Sequence, residues 1–209
     1  MLPGRLAIGG IAVAVVLSVF LHIQLGDRVD PLLRTLSEYV YAGTRSAAPL
    51  FSVMCLALAL GSAALLVGIV RTRGRGDTAA IVLLALWCTG LLACAIFPCD
   101  PPGPARTFIG QVHNVAAVLA FVSLPAAAWL LAHRGGPACP WGARRRLLRR
   151  LTAASVAGLA VVLGSFAWIV FASPEPPEIT LGLFERLLFT VDLGLLLVLT
   201  RPLLRTRVS

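Results

Sequence analysis

Residues 78–104 read TAAIVLLALWCTGLLACAIFPCDPPGP, and this stretch decides the fold. From Thr78 to Phe97 the chain carries no charge, over about the 20 residues that a helix needs to cross a hydrocarbon core. The run ends in Phe97-Pro98-Cys99-Asp100-Pro101-Pro102-Gly103-Pro104, where proline lacks the N–H that a helix interior requires. A second apolar run follows, and its first turns hold Gly110-Gln111-Val112-His113-Asn114. His113 and Asn114 thus enter apolar surroundings about one and a half helical turns in. The two runs read as membrane spans joined by an exposed turn that presents Asp100.

The rest of the chain agrees with this reading. Of 209 residues, 58% are hydrophobic and 13% charged, with mean hydropathy +0.91, whereas a soluble domain is about a quarter charged. Six spans are expected, near residues 6–25, 48–70, 78–97, 108–132, 151–171 and 182–200. The first follows Arg5 as a signal peptide would, but it is long and lacks a small-residue cleavage site, so it is read as a retained helix. The expected fold class is all-α: one integral membrane domain over 1–209, a six-transmembrane-helix bundle with a short outer interfacial helix.

All 18 basic residues are arginine, and the net charge is +9. They lie in short connections between apolar runs, which favours a role in orienting helices and argues against nucleic acid as a partner. One side carries Arg5, then Arg71, Arg73 and Arg75, then Arg134 with the cluster Arg144 to Arg150, then Arg201, Arg205 and Arg207. The other carries only Arg28, Arg34, Arg45 and Arg106. The positive-inside rule places both termini in the cytoplasm of a cell-membrane protein. The arginine cluster ahead of the fifth span is expected to meet anionic lipid headgroups. Five cysteines, Cys55, Cys88, Cys94, Cys99 and Cys139, contain no CxxC pair, so neither a disulfide framework nor a zinc finger follows.

Most acids fall on the outward side. Residues 26–47 place Leu32, Leu33, Leu36 and Val40 at helical spacing around Ser37 and Glu38. This predicts an interfacial helix with Tyr39 and Tyr41 at headgroup level. Ser173-Pro174-Glu175-Pro176-Pro177-Glu178 reads as a stiff acidic turn. Gly61, Ala63, Ala64 and Gly68, and later Gly158 and Gly164, suit close helix contact in lipid.

Polar groups from four pieces of chain reach the same outer depth. Glu185 and Arg186 open the sixth span, His113 and Asn114 the fourth, Asp100 follows the third, and Ser37, Glu38 and Tyr39 come from the interfacial segment. Charges inside a membrane usually face a partner or a cavity, so one shared site is expected. Asp100, His113 and Glu185 are the candidate catalytic groups. Ser37, Glu38, Tyr39, Arg106, Asn114 and Arg186 are candidate ligand-binding groups. The alternative is a structural knot, with Asp100 capping a loop and Glu185 paired to Arg106 or Arg186. Asp192 lies about 16 Å into the sixth span. It is read either as a protonated acid bonded to Thr89, Ser123 or Ser165, or as a proton relay to Glu185. No HxxxH or HExxH pair is present, so no metal is assigned, and no cofactor is implied.

Four motifs together resemble a known pattern. Leu36-Ser37-Glu38-Tyr39, Phe97-Pro98-Cys99-Asp100, Gly110 to His113 and Glu185-Arg186, in this order, are similar to the bacterial six-helix membrane family called domain of unknown function 998. The layout is more distantly similar to eukaryotic families of DRAM-related autophagy modulators and GPI-anchor remodelling factors. The resemblance implies six helices with an outward polar site and no established activity. Four functions stay open: binding a lipid-like or isoprenoid amphiphile, acid–base catalysis on such a molecule as in a terpene cyclase, a structural subunit, or a proton pathway through Asp192. Membrane lipids are the expected partners; protein partners are not indicated.

Overall fold

The computed structural model describes residues 2–73, 78–101, 106–133, 140–171 and 180–205. Six helices carry the fold: α1 (Leu2–Leu25), α2 (Ala47–Arg73), α3 (Thr78–Ile96), α4 (Phe108–His133), α5 (Arg145–Phe171) and α6 (Leu181–Arg205). No strand occurs among the described residues. All six helices are long and apolar enough to cross a membrane, which makes the chain an all-α, multi-pass membrane bundle. Outside the described residues lie Pro102-Gly103-Pro104, the acidic turn from Ser173 to Glu178, Cys139, and Arg75, Arg134 and Arg207.

Several helices outrun their apolar cores. The fifth begins at Arg145 rather than near 151, because arginine is a good helix former and the helix continues where hydropathy fails. The sixth runs on through the buried Pro202, near an end where the loss of one backbone bond is tolerable.

The interfacial segment departs most from expectation. Its helix is a single 3-10 turn, Ser37–Tyr41, preceded by successive turns. Glu38 sets its start by accepting the Thr35 N–H at 2.7 Å, which is the glutamate half of a capping box. Gly43 follows with φ +75, a conformation that glycine adopts without penalty and that prevents a longer helix. Tyr41 is exposed, as a headgroup-level ring would be, but Tyr39 is fully buried.

Each helix packs against its sequence neighbours, and α6 closes the ring on α1 while also touching α2 and α4. Small residues allow the closest crossings. A Cβ on Gly10 of α1 would lie 2.5 Å from the Ala57 carbonyl and 2.7 Å from Gly61 Cα. Gly90 of α3 similarly receives the backbone of α4 at Ala116. Between α2 and α3 the buried Trp87 indole donates to Ser62 Oγ at 2.8 Å.

Candidate functional site

The loop after α3 is built around Asp100. Its carboxylate accepts the Thr107 N–H at 3.1 and 3.2 Å and the Thr107 hydroxyl at 2.6 Å. Thr107 in turn accepts the Gly110 N–H at 3.0 Å, which makes it the N-cap of α4. Asp100 therefore rests on the positive end of the α4 dipole. A Cβ at residue 110 would come within 2.1 Å of Asp100 Cγ, so the glycine of the Gly110-to-His113 motif makes room for this carboxylate.

The same loop is tied to the 3-10 turn. Tyr41 donates its hydroxyl to the Cys99 carbonyl, and the Cys99 thiol donates to the Ser37 carbonyl at 3.3 Å. Burial pushes the Cys99 thiol up to about 11, and burial, then Cys99 and Asp100, raises Tyr41 above its ordinary value. Since the thiolate is the nucleophile, Cys99 is held inert at neutral pH. In a variant keeping Cys99 alone, maleimide labelling at pH 7 is expected to run about 300-fold slower than for a free cysteine of pKa ~8.5. Its rate should climb about tenfold per pH unit up to about 11. A rate that levels off near pH 8 would contradict the burial argument.

His113 and Glu185 lie at the centre of the polar set. His113 is buried and donates Nδ1–H to the Phe97 carbonyl at 2.8 Å, which fixes the tautomer and leaves the Nε2 lone pair without a protein partner among the described residues. Glu185 Oε2 accepts the Leu36 N–H at 2.7 Å, and Oε1 has no protein partner among the described residues. Both side chains, with Ser37, line two adjoining cavities. One, of about 230 Å³, is bordered by Glu38, Asp100, Arg106 and Asn114, and by Leu159, Val162, Leu163 and Phe166 of α5. The other, about 60 Å³, is walled by Phe51, Met54, Trp87, Leu91 and Phe189.

The remaining predicted residues have other work. Arg186 donates Nη1 to the Arg34 carbonyl at 2.7 Å and to the Gly182 carbonyl at 2.9 Å. Its guanidinium carbon stands 5.3 Å from the centre of the Tyr39 ring. The Tyr39 hydroxyl meets His22 Nδ1 at 3.2 Å. Neither Tyr39 nor Arg186 lines the cavities; they fasten the 30s loop to α1 and α6. Glu38, though on the cavity edge, is engaged by Thr35 and by Arg34 at 3.4 Å.

Asp192 is separate from this cluster. It is fully buried and lines neither cavity. Its partner is none of the three expected hydroxyls: Ser155 donates to Oδ1 at 2.6 Å. The reason lies in the early start of α5. Ser155 stands about 15 Å from Arg145 along the helix, at mid-depth, whereas a span beginning at 151 puts it near the surface. Thr89 and Ser123 bond backbone carbonyls of their own helices instead. Among the described residues, no three His, Cys, Asp or Glu side chains converge as metal ligands.

Sequence reasoning missed Thr107, Ser155, His22 and the role of Gly182. Thr107 was readable as an N-cap before an apolar run; the other three depend on which helices meet. Residues 7–202 match the model of a family described as protein of unknown function (DUF998). No curated protein and no solved structure matches the chain, so the more distant likeness to DRAM-related and GPI-remodelling families gains no support.

Proposed function

The chain belongs to the DUF998 family, and from that premise we propose that it binds a lipid-like or isoprenoid amphiphile in the cavity between α4, α5 and α6. Asp100, Glu38 and Tyr39 are occupied in holding loops; Arg186 holds one through Nη1, while its Nε and Nη2 are buried without a partner among the described residues and outside the cavity lining. The groups left for a ligand are Arg106, His113 Nε2, Asn114 and Glu185 Oε1, joined by the Ser37 hydroxyl, which meets Thr35 Oγ1 at 3.1 Å and has capacity for a further hydrogen bond. One observation carries the reading: these groups line a cavity that is also lined by the apolar Leu159, Val162, Leu163 and Phe166 of α5. A headgroup meets hydrogen-bonding partners while its chain lies along α5, the division of labour typical of ligand sites. In this reading the site faces the outer leaflet of the cell membrane and both termini lie in the cytoplasm, an orientation that the arginine distribution supports.

A second reading is turnover of the same molecule. It is favoured by the placement of His113 and Glu185 on the same two cavities, one able to take a proton at Nε2 and one at Oε1. A relay from Asp192 has no such support, since that carboxyl borders neither cavity.

Native mass spectrometry of gently solubilised protein tests the binding site. Wild type is expected to retain a defined lipid or isoprenoid adduct. His113→Ala should reduce its occupancy about tenfold, which is the ~1.4 kcal/mol of one charge-assisted hydrogen bond. Glu185→Gln keeps an acceptor for the Leu36 N–H, so it should fold normally and still lose adduct. Equal retention by all three folded proteins would overturn the assignment. Conversion of the bound molecule by wild type, lost in both variants, would establish turnover.

A further inference from the structure

The opposite half of the α4–α5 seam carries a separate groove, of about 800 Å³, that uses none of the residues discussed above except Leu159. It is shallowest in side chain where α5 offers Ala153, Ala157 and Ala160, all exposed, facing Val122 and Ala126 of α4. From Arg149 to Ala160 the helix rises about 16 Å, which is half of a ~30 Å hydrocarbon core. The groove is therefore one leaflet deep, and it lies on the arginine-rich side.

Its surface end is organised around one cation. Arg149 Nε donates to His133 Nε2 at 2.8 Å. His133 donates Nδ1–H to the Trp129 carbonyl at 2.9 Å and stacks on the Trp129 ring with centroids 3.7 Å apart. The Arg149 guanidinium sits 5.8 Å from the same ring. These contacts hold the guanidinium beside Trp129, which lines the groove, and leave its two terminal nitrogens without a protein partner among the described residues. Arg145 and Arg146, one turn earlier, fall on the same helical face. One turn deeper, Thr152 lines the groove with its hydroxyl buried and unpartnered among the described residues, a state that a buried polar group rarely keeps.

We infer that this groove binds one anionic glycerophospholipid of the arginine-side leaflet, with its phosphate on Arg149, an ester oxygen at Thr152 and an acyl chain along Ala153, Ala157 and Ala160. The order of groups down α5 is cation, hydroxyl donor, then an apolar trough, which is the order of groups in such a lipid. A planar guanidinium suits phosphate, and basic pockets between spans on this side suit acidic headgroups. A zwitterionic lipid has the same chains, but its choline cation would face Arg145 and Arg146.

The test uses the full-length protein in nanodiscs of equimolar phosphatidylglycerol and phosphatidylcholine, with retained lipids counted by native mass spectrometry. Wild type should hold phosphatidylglycerol over phosphatidylcholine about tenfold. Arg149→Ala, and Ala157→Phe, which fills the trough from an exposed position, should each bring that ratio near one. Thr152→Val, nearly isosteric, should lower it several-fold and serves as the groove variant if Ala157→Phe does not fold. Arg150→Ala removes an equal charge from the neighbouring face and should leave the ratio unchanged. No preference in wild type, an unaltered ratio in the groove variants, or an equal loss in Arg150→Ala would each overturn the assignment. None of these variants touches His113 or Glu185, so failure here and failure of the amphiphile site are read separately.

Discussion

Gly10→Leu is expected to abolish recovery of monodisperse folded protein, while Gly9→Leu, its immediate neighbour, should leave yield and melting temperature unchanged. A Cβ at residue 9, on an exposed position, meets nothing within 4 Å. At residue 10 the first added carbon already lies 2.5 Å from the Ala57 carbonyl oxygen, 2.7 Å from Gly61 Cα and 3.0 Å from Gly61 N. All three are backbone atoms, so no rotamer change can relieve the contact. Overpacking against yielding side chains costs about 1–3 kcal/mol. Here α1 must move off α2 as a whole, so at least about 3 kcal/mol is expected. Fluorescence-detected size exclusion and thermal unfolding of the two variants check this. Melting of Gly10→Leu within a few degrees of Gly9→Leu would mean that α1 and α2 do not cross at this point.

Gly182→Ala should have the next largest effect, and at the candidate site itself. A Cβ there would approach the Arg34 carbonyl to 2.2 Å, the Pro31 carbonyl to 2.7 Å and Arg186 Nη1 to 2.8 Å. The 30s loop is held to α6 at this point by Leu183 N–H to the Leu32 carbonyl at 3.0 Å and by Leu36 N–H to Glu185. Displacing the loop removes both bonds and exposes Glu185. A loss of about 2–3 kcal/mol in stability and at least a tenfold drop in retained amphiphile are expected. Gly194→Ala, on the same helix, meets only Leu151 at 3.8 Å and should behave as wild type. If Gly182→Ala retains ligand as Gly194→Ala does, the loop does not shape the cavity.

The spans were legible because the hydropathy of this chain changes abruptly at each turn, and a helix in lipid must satisfy its backbone internally. Where the ends were misjudged, the cause was arginine. Arg145 to Arg150 are polar by hydropathy and helical by propensity, and the six-residue error at that end of α5 also concealed Ser155 as the partner of Asp192. The depth of the polar residues was readable from their distance to the span ends, and Ser37, Asp100, His113, Asn114 and Glu185 do border one cavity. Their separation into structural and uncommitted groups was not readable. Tyr39 turns inward beneath Arg186, and Asp100 onto the α4 N-terminus, because of tertiary neighbours that spacing along one helix does not specify. Gly10 and Gly182 were missed for the same reason: a glycine's importance rests on which backbone lies opposite.

The buried Asp192 has a consequence for how the chain enters its membrane. A carboxyl at mid-depth raises the cost of inserting an isolated helix by about 2.5–3.5 kcal/mol, and α6 carries Glu185 and Arg186 as well. It is also the most enclosed of the six spans, lying against α1, α2, α4 and α5. Since translation delivers α6 after the other five, the most enclosed helix of the bundle arrives last. Ser155 on α5 is then the docking point that greets Asp192 on arrival, and the earlier helices must keep a slot unfilled until that moment. Release of α6 from the translocon as a hairpin with α5, rather than as a lone segment, is therefore the expected order, because only α5 brings the hydroxyl that meets Asp192.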